Sequence, residues 1–251
     1  MSFENKVVLV TGASSGIGAS IAVLFSKEKA NIVLVARNET KLQSVASRCV
    51  SKCLTIKADV SVEADVKAVV ERTLEEFGGI DVLVNNAGIV RYGSIGMGNI
   101  LTAYDEVFAT NLRGLIHLTS LCAEHLVVRK GNIVNISSVG GLIAPKKPIL
   151  LPYCMSKAAL NLFTQGVALE LGEHGVRVNT VSPGPVETDI ILNSGVPAEM
   201  VSWKKFEDET LLNRVGEPEE IAELVLFLAS DKARGITGAN YISDNGFLLK
   251  R

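Results

Sequence analysis

At 251 residues the chain has about the length of one α/β domain, and 47% hydrophobic with 21% charged residues are ordinary globular values. Lys and Arg number 25 against 27 for Asp and Glu, a net charge of -2 with no basic stripe, so nucleic acid is not an expected partner. No apolar run reaches the roughly 18 to 20 residues of a membrane span, and the opening MSFENKVVLVTG lacks the zones of a signal peptide, so a cytoplasmic protein with no membrane partner is expected.

In chain order, the β-branched run at 7–10 reads as a strand and passes directly into Thr11-Gly12-Ala13-Ser14-Ser15-Gly16-Ile17-Gly18. Helical periodicity begins at once with Ile21, Ala22, Leu24 and Phe25. Strand, glycine turn and helix together form the context of a nucleotide-phosphate cradle, whose expected members are Gly12, Ser14, Ser15, Gly16, Ile17 and Gly18. Gly12 supplies turn angles closed to other residues, Gly16 lets the backbone approach a pyrophosphate, and Gly18 lets helix and strand pack closely. The helix N-terminus adds unpaired N–H groups and a partial positive charge.

A second strand at 31–35 ends in Val35-Ala36-Arg37-Asn38. An acid there would accept bonds from the adenosine ribose and repel a 2′-phosphate; Arg37 instead forms charge-assisted bonds to a phosphate, so NADP(H) is expected over NAD(H). Further strands are expected at 53–56, 82–84, 132–136, 177–181 and 240–242, with covering helices such as 64–77 and 158–171, where apolar residues recur three and four apart. The result is an α/β, doubly wound Rossmann fold: a seven-stranded parallel sheet with helices on both faces and a crevice at the carboxyl ends of its strands. One domain is expected, with the long segment at about 184–216 as a substrate lid. Cys49, Cys53, Cys122 and Cys154 show no zinc-type spacing, and His117, His125 and His174 are scattered, so no metal site is expected.

Several motifs follow the strand ends in turn: Asp59-Val60, Asn85-Asn86-Ala87-Gly88, Asn111, Ser137-Ser138, Tyr153 with Lys157, and Pro183-Gly184. With the glycine turn, and over nearly the whole length, this series resembles the short-chain dehydrogenase/reductase family, in the branch that includes 3-oxoacyl-carrier-protein reductases. The resemblance implies hydride transfer between nicotinamide and a carbonyl or secondary alcohol. An alkoxide forms as hydride reaches carbon, so a proton donor is required, and the reverse reaction needs the same group as base.

Tyr153 is the expected donor. Lys157, four residues on, shares its helix face and is expected to lower the phenol pKa; by resemblance it also bonds the nicotinamide ribose. Ser138 is expected to polarise the substrate oxygen, with Ser137 the alternative, and Asn111 resembles the family asparagine that holds a relay water. The resemblance further assigns Asp59 and Val60 to the adenine, Asn86, Ala87 and Gly88 to the adenosine ribose, Pro183 and Gly184 to the nicotinamide, and Val186 and Thr188 to its amide or the phosphates. It also implies a homotetramer, with the helices of Asn111 and Tyr153 packing between subunits, and a small-molecule substrate.

Two features depart from the family pattern. Fifteen residues separate Ser138 from Tyr153, two more than usual, which enlarges the loop at 139–152, and Ser243-Asp244-Asn245-Gly246 has Asn where a second glycine is commoner. The rival reading is a catalytically silent dinucleotide-binding sensor or scaffold, although every catalytic position is filled. Related epimerases and dehydratases usually carry an added substrate domain, for which this chain is too short.

Overall fold

The structure, a computed structural model, describes residues 3–194 and 202–250. All seven expected strands are present: β1 (Val7–Thr11), β2 (Asn31–Ala36), β3 (Cys53–Lys57), β4 (Val82–Asn85), β5 (Asn132–Ile136), β6 (Arg177–Pro183) and β7 (Asn240–Ser243). Six of them run one or two residues further at the carboxyl end than their apolar patterns do, because ladder hydrogen bonds continue into polar residues such as Asn85 and Ser182. Among the described residues they form one parallel sheet in the order β3-β2-β1-β4-β5-β6-β7. The order reverses between β1 and β4, and the two chains of loops that diverge there open the crevice expected of a doubly wound sheet.

Strand alternation divides the core into two layers. Val8, Val10, Ile32 and Leu34 pack on one face with α1 (Gly16–Lys27) and α8 (Pro218–Ala229), while Val7, Leu9, Val33 and Val35 pack on the other. That second face is covered by α3 (Glu63–Phe77), α5 (Gly114–Arg129) and α6 (Leu151–Gly172). Continuous burial of β1 and β4 is the signature of parallel strands covered on both sides, each large side chain contributing about 1.5–3 kcal/mol. β3 lies at one edge and is less buried, flanked by α2 (Glu39–Ala46).

The helix expected at 158–171 begins at Leu151. Pro152 stands in its first turn, where its missing N–H needs no partner and its fixed φ suits a helix start. Both Tyr153 and Lys157 are thereby held on α6 near the carboxyl end of β5. Before it, α4 (Ile100–Phe108) runs through a π-helical turn at Ala109–Arg113 into α5. Such turns are rare and gather at functional sites; this one holds Asn111.

Of the expected lid at 184–216, residues 195–201 lie outside those described. The rest contains a short 3-10 turn at Leu192–Ser194 and α7 (Trp203–Glu207). A parallel bridge between Val186 and Gly216 brings the two ends of the segment together.

Candidate active site

The glycine turn lies at the sheet's switch point and is tied to the loop after β4. Thr11 Oγ1 accepts the Asn86 and Ala87 N–H groups, both at 3.0 Å, and the Asn86 amide donates back to the Thr11 and Gly12 carbonyls at 2.9 and 3.2 Å. Asn86 therefore acts on the turn as a clamp, with its amide protons committed to protein. Gly12 has φ +65, and a Cβ on Gly18 would stand 2.4 Å from the Gly12 carbonyl oxygen, so two of the glycines answer to backbone angle and to close packing as expected. Ser15 caps α1 without a side-chain bond, and no acid lies in the first turn. This leaves the positive end of a 12-residue helix facing outward beside the turn, which fits a dinucleotide pyrophosphate.

Across the crevice, Lys157 is 3% exposed and donates to the Ile136 carbonyl at 2.8 Å. A Cβ on Gly88 would lie 3.5 Å from Lys157 Nζ and 3.6 Å from Asn111 Oδ1, so the loop after β4, α6 and the π-helical turn meet at one place. The two serines after β5 separate in role: Ser137, 3% exposed, donates to the Lys157 carbonyl at 3.1 Å. Ser138 is partly exposed, accepts the Gly140 N–H at 3.0 Å, and has its hydroxyl against the Tyr153 phenol. Of the two serines, Ser138 is the one whose hydroxyl stands at the phenol.

One electrostatic expectation is reversed. Burial pushes the Tyr153 pKa up to about 12, against the opposing pull of the Ser138 hydroxyl, and burial also lowers that of Lys157 to about 8. Lys157 does not lower the phenol pKa here, because its ammonium is turned to Ile136 and stands 5.8 Å from the tyrosine ring centre while both groups are desolvated. The phenol is held protonated. Cys154, next to it, is buried.

Asn111 is fully buried, and its side chain clasps Ile89 from both sides: Oδ1 accepts the Ile89 N–H at 2.8 Å and Nδ2 donates to the Ile89 carbonyl at 2.9 Å. Nδ2 also reaches Ser156 Oγ at 3.2 Å, and Ser156 donates to the Tyr153 carbonyl at 2.7 Å. The side chain thus joins the loop after β4 to the second turn of α6. Asn111→Ala, which strips both bonds from Ile89, is expected to lower stability by about 2 kcal/mol, read as a lower urea midpoint at unchanged m-value. An unchanged midpoint would contradict the clasp.

A family model described as enoyl-(acyl carrier protein) reductase matches residues 12–248. Similar curated proteins include meso-2,3-butanediol dehydrogenase of Serratia marcescens, 36% identical over 247 residues that cover 98% of this chain and 96% of that one. The 3-oxoacyl-[acyl-carrier-protein] reductase FabG of Thermotoga maritima is 34% identical over 255 residues, 99% of this chain and 100% of the relative. Among solved structures, a short-chain dehydrogenase/reductase of unknown function from Caenorhabditis elegans, with cofactor, superposes with TM-score 0.93 at 34% identity, covering 98% of this chain and 96% of the other. The chain belongs to the short-chain dehydrogenase/reductase family. It is accordingly an oxidoreductase of the class acting on CH–OH groups with a nicotinamide dinucleotide.

In this dehydrogenase/reductase the remaining expected residues line the same end of the sheet with differing freedom. Asp59 Oδ1 accepts the Ser61 N–H and hydroxyl at 2.9 and 2.7 Å, while Oδ2 lies 3.7 Å from the exposed Arg37 guanidinium. Val60 is buried, with its carbonyl against Gly114. Gly184 packs so closely on Asp244 that a Cβ would stand 2.7 Å from the Asp244 Cα, and Pro183 and Val186 are buried beside it. The Thr188 methyl covers Gly16. Asn245, in place of the commoner glycine, takes φ 51, and the turn is fastened by Asp244, which accepts the Gly246 and Leu248 N–H groups.

The enlarged loop at 139–152 does not simply bulge outward. Its Ile149 carbonyl accepts the Gly93 N–H at 2.9 Å, and Lys146 pairs with Glu209 at 3.5 Å while lying over the Phe247 ring. Its extra length spans the gap to α7 and the C-terminal turn. Sequence reasoning missed three things. Asn85, Asn135 and Thr180 stand in register on adjacent strands and, with Thr119 and Thr164, form a buried hydrogen-bonded ladder beneath the site; polar residues at matching positions of apolar strands were the available signal. Ser156 carried no such signal. Nor did the Lys41–Asp189 pair, 2.8 Å apart in the lining of a cavity of about 440 Å³ beside the glycine turn. Among the described residues no cluster of ligating side chains could hold a metal, and no helix is long and apolar enough to cross a membrane.

Proposed function

We propose that this chain is an NADP(H)-dependent reductase of a small carbonyl compound, running as a secondary-alcohol dehydrogenase in reverse, with Tyr153 as general acid and base. The observation that carries the reading is the meeting of Tyr153, Ser138, Lys157 and the Gly88 loop at the carboxyl end of β5, beside a glycine turn suited to phosphate. A bound nicotinamide dinucleotide supplies the hydride. Gly12, Ser14, Ser15, Gly16, Ile17 and Gly18 would cradle its pyrophosphate; Asp59, Val60, Asn86, Ala87 and Gly88 would flank the adenosine; Pro183 and Gly184 would flank the nicotinamide, with Val186 and Thr188 toward its amide or the phosphates; Arg37 would receive the 2′-phosphate.

Within that frame Ser138 donates to the substrate oxygen and aligns it with the phenol. Tyr153, held protonated by burial, gives its proton as the oxygen becomes an alkoxide. The buried Lys157 keeps a hydrogen-bonding cation beside the ribose and phenol, and Asn111 secures the turn through which the proton is replaced. The relatives' names, a butanediol dehydrogenase and a 3-oxoacyl reductase, share a CH–OH or ketone carbon, which favours a ketone or its alcohol as substrate. The reading includes one catalytic domain with 184–216 as lid, a cytoplasmic location, and a homotetramer. Exposed Leu101, Ile116, Leu162 and Leu169 on α4, α5 and α6 are apolar surface for such packing.

The test is oxidation of NADPH with a panel of ketones, aldehydes and diketones. Turnover with NADPH preferred over NADH is expected; tight NADPH binding without any turnover would turn the reading to the silent sensor. The pH dependence carries a sign. Lys157 is cationic below about pH 8 and neutral above it, so kcat/KM for reduction is expected to be level below that pH and to fall above it. A profile with no break there would separate the charge on Lys157 from the reaction.

A further inference from the structure

A second cavity, of about 220 Å³, lies at the opposite end of the sheet and takes no part in the proposed chemistry. Its floor is the amino ends of the four central strands: Lys6 precedes β1, Asp81 precedes β4, Asn132 opens β5 and Arg177 opens β6. The end of α5 and the 3-10 turn at Asp231–Ala233, just after α8, wall it in. Those walls add Arg129, Lys130, Asp231 and Lys232, so the lining holds five cations against two carboxylates in a chain whose net charge is -2. Positive charge is concentrated here.

Part of that charge is satisfied within the protein. Lys6 pairs with Asp81 at 3.0 Å, and Asp81 also accepts the Val7 N–H at 2.9 Å. The Arg177 guanidinium donates to the Leu228 and Ser230 carbonyls at 2.7 and 3.1 Å, closing the end of α8, and Asp231 offsets its charge. Three cations remain. Arg129 has one long contact, 3.5 Å to the Gly78 carbonyl, and among the described residues the ammonium groups of Lys130 and Lys232 have no hydrogen-bond or ion-pair partner. Cations at a helix C-terminus offset its dipole, which accounts for Arg129 and Lys130 at the end of α5; the end of α8 is already closed by Arg177, so Lys232 answers no such need. A polar atom is also left over. Asn132 is 3% exposed, and its Nδ2 donates to the Arg177 carbonyl at 3.2 Å, while its Oδ1 is buried without a partner, a costly state for an acceptor.

We propose that this cavity binds a small phosphate monoester that carries a free hydroxyl, a phosphorylated polyol, through Arg129, Lys130, Lys232 and Asn132. A phosphate monoester has a charge of about -1.5 to -2 near neutrality and three acceptor oxygens, which suits three cations without partners; a carboxylate brings one charge and two oxygens. The ligand hydroxyl donates to Asn132 Oδ1 once the amide turns toward the cavity, a motion opposed only by its long bond to Arg177. The volume falls below the roughly 300–1,000 Å³ of sites for drug-sized ligands, which limits the ligand to a few carbons beyond the phosphate.

The native protein is titrated calorimetrically with glycerol 3-phosphate, inorganic phosphate, sulfate and glycerol at low ionic strength, where exposed charges are least screened. One site for glycerol 3-phosphate is expected, with a Kd roughly threefold to tenfold below that of inorganic phosphate, the effect of one added hydrogen bond, and no binding of glycerol. The double variant Lys130→Asn, Lys232→Gln is expected to raise the Kd for glycerol 3-phosphate by at least about tenfold. Asn tolerates the left-handed angles that Lys130 adopts at φ 50, and both positions are exposed, so the fold is kept. Neither lysine lies at the carboxyl ends of the strands, so turnover of the double variant is expected to match wild type, and the outcome stands apart from that of the proposed reaction. Equal affinity for ester, phosphate and sulfate, meaning an adventitious ion only, would overturn the proposal. So would the absence of binding, or binding that survives both lysine substitutions, as it would at the glycine turn.

Discussion

Tyr153→Phe is expected to lower kcat for carbonyl reduction by roughly 10²–10⁴-fold, the range for removal of a general acid, while the NADPH Kd changes by less than about twofold. The substitution deletes one hydroxyl and keeps the ring. That ring lies near Lys157 within α6, so its packing and the Lys157–Ile136 bond survive. The hydroxyl's neighbour is Ser138, which retains its bond from the Gly140 N–H, so little else is disturbed. Steady-state turnover and fluorescence titration of NADPH, measured on the same preparation, separate the two quantities. Wild-type turnover in the variant would remove Tyr153 as acid; lost NADPH binding would make its role structural.

The second large effect is expected at the other end of the cofactor. On the proposed reading Arg37→Asp would remove a charge-assisted bond worth about 1.5–3 kcal/mol to a 2′-phosphate, so the NADPH-to-NADH preference in kcat/KM is expected to fall by at least roughly tenfold to a hundredfold. The new carboxylate also repels the phosphate and accepts from ribose hydroxyls, which pushes the ratio further toward NADH. Arg37 is mostly exposed, and its pairing with Asp59 at 3.7 Å is loose, so in the free protein the guanidinium is available to a phosphate. Arg37→Gln serves as the neutral control, expected to fall between the two. An undiminished preference for NADPH in Arg37→Asp would assign the phosphate to other cations, such as Lys41 or Arg48, which line the cavity beside the glycine turn.

Much of this was legible in the sequence for local reasons. The apolar runs of the seven strands, the glycine turn after the first, and polar motifs after later strands are patterns within a few residues, and alternation of strand with helix constrains the sheet to be parallel. The start of α6 was placed late because Pro152 and the loop before it interrupt the periodicity, although proline suits a first helical turn. Asn245 was read correctly as a glycine substitute because tolerance of left-handed angles belongs to the residue itself.

Other properties were decided only when distant atoms met. The spacing of Tyr153 and Lys157 placed them on one helix face but said nothing of how deeply that face is buried, so desolvation reversed the expected shift of the phenol. Ser138 was expected over Ser137 by resemblance alone; the turn of α6 against β5 directs the first serine to the Lys157 carbonyl and leaves the second beside the phenol. The clasp of Asn111 on Ile89 arises in the same way. Sequence determined the family, the sheet and the residues that stand at its carboxyl end, because backbone angle and hydrophobic period are local. Tertiary structure decided which of them are charged, which are committed to the protein and which are left to a ligand, because burial and hydrogen-bond partners depend on what packs against them from elsewhere in the chain.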